Sequence, residues 1–274
     1  MTLFTDIAFG DTQVESSPVS LSALEFDVLW EHLSPGTMPL VVKVPSPGKT
    51  YEERAELEER AWAGLEARGI GRKVDLDPEI EHLFGVLARP EHEVDGRTWV
   101  GRGVRLLACA AGRDGVLAVL SDDTVTLSRT SPISLPSAAV GVLPPVAAGP
   151  GQSVTVRTVD FEYAAKATER TPKAFENALL SQGVRGADAT ALTEMIGDVR
   201  GTGNFGAAAR DRLGRRLRAE RVVSFFDTDN GRYVQIRRAS PDRTLWTTIS
   251  PADNRRMVHH IEEVLGEVVR DAEN

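Results

Sequence analysis

Cysteine is almost missing: Cys109 is the single thiol in 274 residues, so no internal disulfide can staple the fold. It sits in the apolar run Val104-Arg-Leu-Leu-Ala-Cys-Ala-Ala111, where cysteine behaves as a small buried hydrophobe. One unpaired thiol fits a reducing compartment. Long apolar runs are missing too. No stretch approaches the roughly 20 residues that cross a membrane, and Met1-Thr-Leu-Phe-Thr-Asp6 lacks the basic and apolar segments of a secretory signal. The expected location is cytoplasmic, without membrane insertion. Positive charge is in deficit: 32 Lys and Arg against 40 Asp and Glu give a formal net charge of -8, which disfavours a general nucleic-acid binder. The histidines His32, His82, His92, His259 and His260 show no zinc spacing. There is no P-loop and no G-x-S-x-G elbow. No catalytic residue, metal site or cofactor is expected, and the default is a protein that grips another protein.

What is present is an ordinary globular balance, 41% hydrophobic and 26% charged. Val19 to Leu21 reads as a short strand, and Ser22 caps a helix through Leu33. Leu40 to Val44 reads as extended. Thr50 and Glu53 form a capping box for a second helix that ends at Gly69. Asp77-Pro78 starts a third, with Asp at the N-cap and Pro at N1. Four strand-like runs follow: Glu91 to Val100, Val104 to Ala111, Val116 to Ser121 and Thr124 to Ser128. The separators Gly101-Arg102-Gly103, Arg113-Asp114-Gly115 and Asp122-Asp123 read as hairpin turns. The Pro-, Gly- and Ala-rich stretch Ser131 to Gly151 reads as a linker.

Past the linker comes a strand, Val154 to Val159. Helices are expected from about Asp160 to Glu169, Thr171 to Gln182, Ala187 to Val199 and Phe205 to Arg218. Strands Arg221 to Asp227, Gly231 to Ala239 and Thr244 to Ile249 come next, and Pro251 opens a last helix. The order of helices then antiparallel strands thus occurs twice. That predicts an α+β fold in which two similar halves, about 1–140 and about 150–274, share one antiparallel sheet.

Three motifs invite chemistry. Gly201-Thr-Gly203-Asn-Phe-Gly206 spells G-x-G-x-x-G, but a helix-like stretch precedes it where a nucleotide site needs a strand. A helix-to-helix loop using positive φ is the plainer expectation. Asp227-Thr-Asp229-Asn-Gly231 lacks the later ligands of a calcium loop and reads as a turn. Arg210, Arg212, Arg215, Arg216, Arg218 and Arg221 lie within twelve residues. They read as a helix facing solvent or a partner. A nucleic-acid regulator and a nucleotide-binding enzyme are the alternatives these motifs leave open.

The run Arg221-Val-Val-Ser-Phe-Phe-Asp-Thr-Asp-Asn-Gly-Arg-Tyr-Val-Gln-Ile-Arg-Arg238, followed by Trp246-Thr-Thr-Ile-Ser-Pro-Ala-Asp-Asn254, resembles the C-terminal segment of the EspG family. These are cytosolic chaperones of type VII (ESX) secretion. Gly203-Asn-Phe-Gly206 with its arginine-rich sequel, Leu24-Glu-Phe-Asp-Val-Leu-Trp-Glu-His-Leu33 and Tyr51-Glu-Glu-Arg54 fit the same family, so the resemblance spans nearly the whole chain. It implies one EspG-like domain over 1–274, built as a central antiparallel sheet flanked by helical bundles. It implies a partner, the PE/PPE heterodimer, held mainly through the apolar tip of its PPE subunit. It implies neither catalysis nor a cofactor.

The resemblance also places the interface on the sheet surface, on the turn after the first meander strand and on the C-terminal helical bundle. Here that turn is Trp99, Val100, Gly101, Arg102 and Gly103. Side chains alternate along a strand, so Tyr233, Gln235 and Arg237 share one face. They are expected to be open to the partner, with Val234 and Ile236 packed on helices behind. Phe225 and Phe226 point to opposite faces, and one of them is expected to leave the core as an anchor. An uncovered sheet face could also self-associate.

Overall fold

The computed structural model describes residues 17–166 and 171–274. The N-terminal residues read above for a signal, and the end of the helix expected to reach Glu169, lie outside the described residues.

Strand β1 (Val19–Ser22) runs directly into helix α1 (Ala23–Leu33). Ser22 Oγ accepts from the Glu25 N–H, and the Glu25 carboxylate accepts from the Ser22 N–H at 2.7 Å. This reciprocal cap satisfies two amides that the first helical turn leaves without partners. Leu40–Val42 forms a short 3-10 turn where extended chain was expected. Helix α2 (Tyr51–Ala67) carries the predicted Thr50–Glu53 capping box. A two-residue hairpin, β2 (Gly71–Arg72) and β3 (Asp75–Leu76), leads into α3 (Pro78–Ala88), capped by Asp77.

The meander is β4 (His92–Val100), β5 (Gly103–Ala111), β6 (Asp114–Ser121) and β7 (Thr124–Thr130). Its middle turn is Gly112-Arg113, with Gly112 at φ +59°. Asp114 and Gly115 already pair with β5, so they are not the turn. The expected linker instead contains helix α4 (Leu135–Gly141). Leu135, Ala139 and Val140 are buried there, because small and branched side chains let a short helix press onto the sheet.

The second half opens with β8 (Val154–Arg157) and α5 (Thr158–Ala165), then α6 (Pro172–Ser181) and α7 (Gly186–Met195). The helix expected over Phe205 to Arg218 does not exist. The chain forms the long strand β9 (Val199–Arg210), a tight turn, and β10 (Arg216–Arg218). Asp211 builds that turn by accepting from the N–H groups of Leu213 and Arg215 at 2.9 Å. Alanine and arginine are among the strongest helix formers, but such propensity is a weak prior against tertiary context. Here Ala207, Ala208 and Ala209 are buried in the middle of the sheet, and tertiary pairing overrides that preference. Strands β11 (Val223–Thr228), β12 (Gly231–Ala239) and β13 (Leu245–Pro251) complete the second meander. Pro251 ends β13, and α8 (Asn254–Glu273) starts later, capped by Asp253.

One eleven-stranded sheet results, in the order β1-β7-β6-β5-β4-β9-β11-β12-β13-β8, with β10 alongside β9. Each half is a strand, three helices, a meander and one closing helix. The halves join at the antiparallel seam between β4 and β9, from His92↔Ala209 to Val100↔Gly201. Helices α4 and α8 cover one face across the seam. Met257, Ile261, Val264 and Val268 form the buried stripe of α8, each adding about 1.5–3 kcal/mol of apolar burial. On the other face the helices divide. The N-terminal helices cover β5 to β7 through Phe26, Leu29, Leu83 and Phe84. The C-terminal helices cover β8, β12 and β13 through Ala164, Leu179, Leu192 and Met195. Cys109 lies under the first group, where burial, aided by the charge of Glu93, pushes its thiol pKa far up. Among the described residues no helix is long and apolar enough to cross a membrane.

Candidate functional site

The divided helical cover leaves a trough along the seam. One row of directly paired residues crosses the whole sheet on that face: Leu21, Val125, Leu120, Arg105, Arg97, Asn204, Ser224, Gln235, Ile249 and Val154. The residues at both ends are apolar and buried. The five in the middle, Arg105 to Gln235, are polar and not fully buried. The row changes character where the helices stop, so the trough floor is written in the side chains themselves. The next row reads Gly103, Trp99, Thr202, Phe226, Tyr233 and Pro251.

Three adjoining hollows of about 470, 940 and 560 Å³ lie along this floor, and Asn204 lines all three. Ser224 Oγ donates to Asn204 Oδ1 at 2.6 Å, which fixes the centre. On one side Arg216 pairs with Glu93, and Arg218 pairs with Asp95 at 2.6 Å. The Asp95 carboxylate raises the pKa of the Arg218 guanidinium above that of an ordinary arginine. On the other side Arg237 reaches Glu162 of α5 at 3.0 Å.

The expected interface residues separate into two groups. Trp99 stands 53% exposed at one end of the trough. Val100 is half-buried beside it, and Gly101, Arg102 and Gly103 are exposed at the turn, with Gly101 at φ +80°. Phe226 and Gln235 are half-buried in the floor, and Arg237 is exposed at its edge. Phe225 and Tyr233 are closed off. Phe225 faces α8 and stacks on Phe205, with ring centroids 6.1 Å apart. Tyr233 is on the trough face but fully buried, correcting the expectation that it is open. The C-terminal helices and the segment before β8 reach over it, and its hydroxyl donates to Pro150 O at 3.0 Å. Phe226, stacked on Tyr233, is the phenylalanine on the trough face, half-buried and packed against the C-terminal core.

The glycine-rich motif has a packing explanation. Gly201, Gly203 and Gly206 lie inside β9, and none has positive φ. A Cβ on Gly203 would stand 2.6 Å from Phe225 Cε1, and one on Gly206 would stand 2.3 Å from Arg218 Nη2. These glycines admit neighbouring side chains rather than a pyrophosphate. Four of the six clustered arginines are answered by carboxylates: Arg215, Arg216, Arg218 and Arg221 pair with Asp211, Glu93, Asp95 and Glu267, and Arg210 donates to the carbonyls of Pro90 and Gly214. Among the described residues no three His, Cys, Asp or Glu side chains are placed to share a metal ion.

The trough residues missed in the sequence are Arg97, Arg105, Thr202, Asn204 and Ser224. Alternation alone could have put each on a face, but only the register brings them into one row.

Comparison with known proteins gives three findings. The EspG family model matches residues 22–263. No curated protein matches. Among solved structures, a similar chain occurs in the Mycobacterium tuberculosis type VII secretion system chaperone EspG5 in complex with the PE25-PPE41 dimer. It has a TM-score of 0.71 at 16% identity, over 94% of this chain and 97% of that one. At that identity the likeness is one of fold.

Proposed function

The chain belongs to the EspG family, and on that premise we propose that it is a cytoplasmic type VII secretion chaperone that holds a PE/PPE heterodimer by the apolar tip of the PPE subunit. The whole chain, 1–274, acts as one unit whose halves meet under the partner. The observation that carries this reading is the uncovered trough along the β4–β9 seam, with Trp99 exposed at its end and Phe226 in its floor. A sheet face left open between two helical covers suits a narrow helical tip. Trp and Arg at its rim are the residue types that most often dominate binding energy. Phe225 and Tyr233 support the floor from within and do not touch the partner. No chemical step and no cofactor belong to this role.

A specific complex of this kind buries about 800 Å² per partner. The test is co-expression with PE/PPE pairs of the same genome, followed by gel filtration. A soluble ternary complex is expected with the cognate pair, weakened in the Trp99→Ala/Phe226→Ala variant. Failure with every such pair would refute the proposal.

A further inference from the structure

Arginines around the trough are mostly answered by carboxylates: Arg216 by Glu93, Arg218 by Asp95 and Arg237 by Glu162. Arg97 on β4 and Arg105 on β5 are different. They stand directly opposite each other on the trough face. Among the described residues, neither has a carboxylate within ion-pairing distance. Cβ atoms of such pairs lie about 5 Å apart, and directly opposed like charges destabilise a sheet. Arg97 is exposed and Arg105 half-buried. Asp122, from the turn between β6 and β7, lines the same hollow and pairs with neither. Trp99 lies two residues along β4 on the same face, with its indole half exposed.

We infer that Arg97 and Arg105, with Trp99 beside them, form a receptor for a carboxylate side chain at the tip of the bound partner, and so select among partners. The inference rests on the trough being the docking site. A carboxylate seated between the two guanidiniums accepts charge-assisted hydrogen bonds from both and relieves their repulsion. The indole covers the apolar part of the same tip. A partner without an acidic group there would desolvate two like charges and gain nothing in return, which is how interfaces reject wrong partners. A nucleic-acid phosphate chain fits less well. Glu93, Asp95 and Asp122 adjoin the pair, and the net charge of -8 repels a polyanion.

The test uses the full chain and a PE/PPE dimer chosen by co-expression, with calorimetry at low and high salt. Arg97→Gln/Arg105→Gln should bind about tenfold or more weakly, with a flatter salt dependence. The same variant, free of partner, should have a higher thermal midpoint than wild type at low salt, because the opposed charges are gone. Exchanging the partner's acidic residue for glutamine should weaken binding to wild type and add little in the double variant. Unchanged affinity of the double variant overturns the inference while leaving the docking site intact. A double variant less stable than wild type marks the arginines as structural and also overturns it. So does a single-stranded DNA shift by wild type that the double variant loses. Wild type binding no PE/PPE dimer overturns both the inference and the function it rests on.

Discussion

Arg232 and Asp227 form a two-pronged ion pair inside the fold. Arg232 Nε donates to Asp227 Oδ1 at 2.6 Å and Nη2 donates to Oδ2 at 2.8 Å, with the guanidinium wholly out of solvent. The same guanidinium lies 4.9 Å from the centre of the Phe225 ring and reaches the side chain of Asn254 at the start of α8. The backbone of Arg232 bonds Ala147, Gly149 and Ala252. One residue thus ties β12, the segment before β8 and the last helix together. The motif that carries the family resemblance is here a structural clasp behind the trough.

Breaking that clasp on one side leaves an uncompensated buried charge. Asp227→Asn or Arg232→Gln should lower stability by about 3–5 kcal/mol. Replacing both residues by apolar ones of similar volume should cost less than either single change. Urea denaturation of the three variants checks this, and equal losses in all three would show that the pairing is not what matters.

Tyr233 owes its burial to a glycine. A Cβ on Gly149 would stand 2.2 Å from Tyr233 Cζ. Gly149→Ala should therefore displace the ring or the segment and cost about 1–3 kcal/mol. Tyr233→Phe keeps the packing but loses the hydroxyl bond to Pro150, and should cost about 1 kcal/mol. Thermal unfolding of both variants ranks the two effects.

Gly203 separates a packing role from a nucleotide role. Gly203→Ala brings a methyl group to 2.6 Å from Phe225 and 2.7 Å from Thr98 Cγ2. It should lower the thermal midpoint. Calorimetry of wild type with dinucleotides should show no binding. Micromolar affinity lost in the variant would restore the enzyme reading.

Acid should loosen the contact between α3 and β7. Arg129 donates to Glu79 from Nε at 2.6 Å and from Nη2 at 2.5 Å, and this pairing holds the Glu79 carboxyl below its ordinary value. A lowered value in the folded state means that the unfolded chain takes up the proton more readily. The contribution is complete above about pH 4.5 and is lost as pH falls through the folded value. Both side chains are partly exposed, so the effect is small. Arg129→Met should flatten the fall of the thermal midpoint as the pH drops below about 4.5.

The meanders, the capped helices α1 to α3 and the repeated order were legible because period-2 alternation and capping residues are local signals. β9 was not legible. Its Gly-Ala-Ala-Ala-Arg run has no alternation, since both of its faces are buried by neighbours distant in sequence. Helix α4 was hidden by Pro, Gly and Ala, which in this chain permit close packing instead of marking a linker. At the site, alternation correctly put Tyr233, Gln235 and Arg237 on one face. It could not show that helices cover that face at Tyr233 and leave it bare at Gln235. The facing of Arg97 on Arg105 depends on hairpin register, and that of Arg97 on Asn204 on a pairing between the two halves.

The β4–β9 seam is a long-range pairing between the two halves, and that bears on assembly. Each meander can zip up through its own short hairpins soon after it is made. The seam must wait until the chain between the halves has been synthesised and its long loop closed, the slow kind of step in folding. The trough floor is made of residues from both halves, so neither half alone presents it: it exists only once the seam has closed.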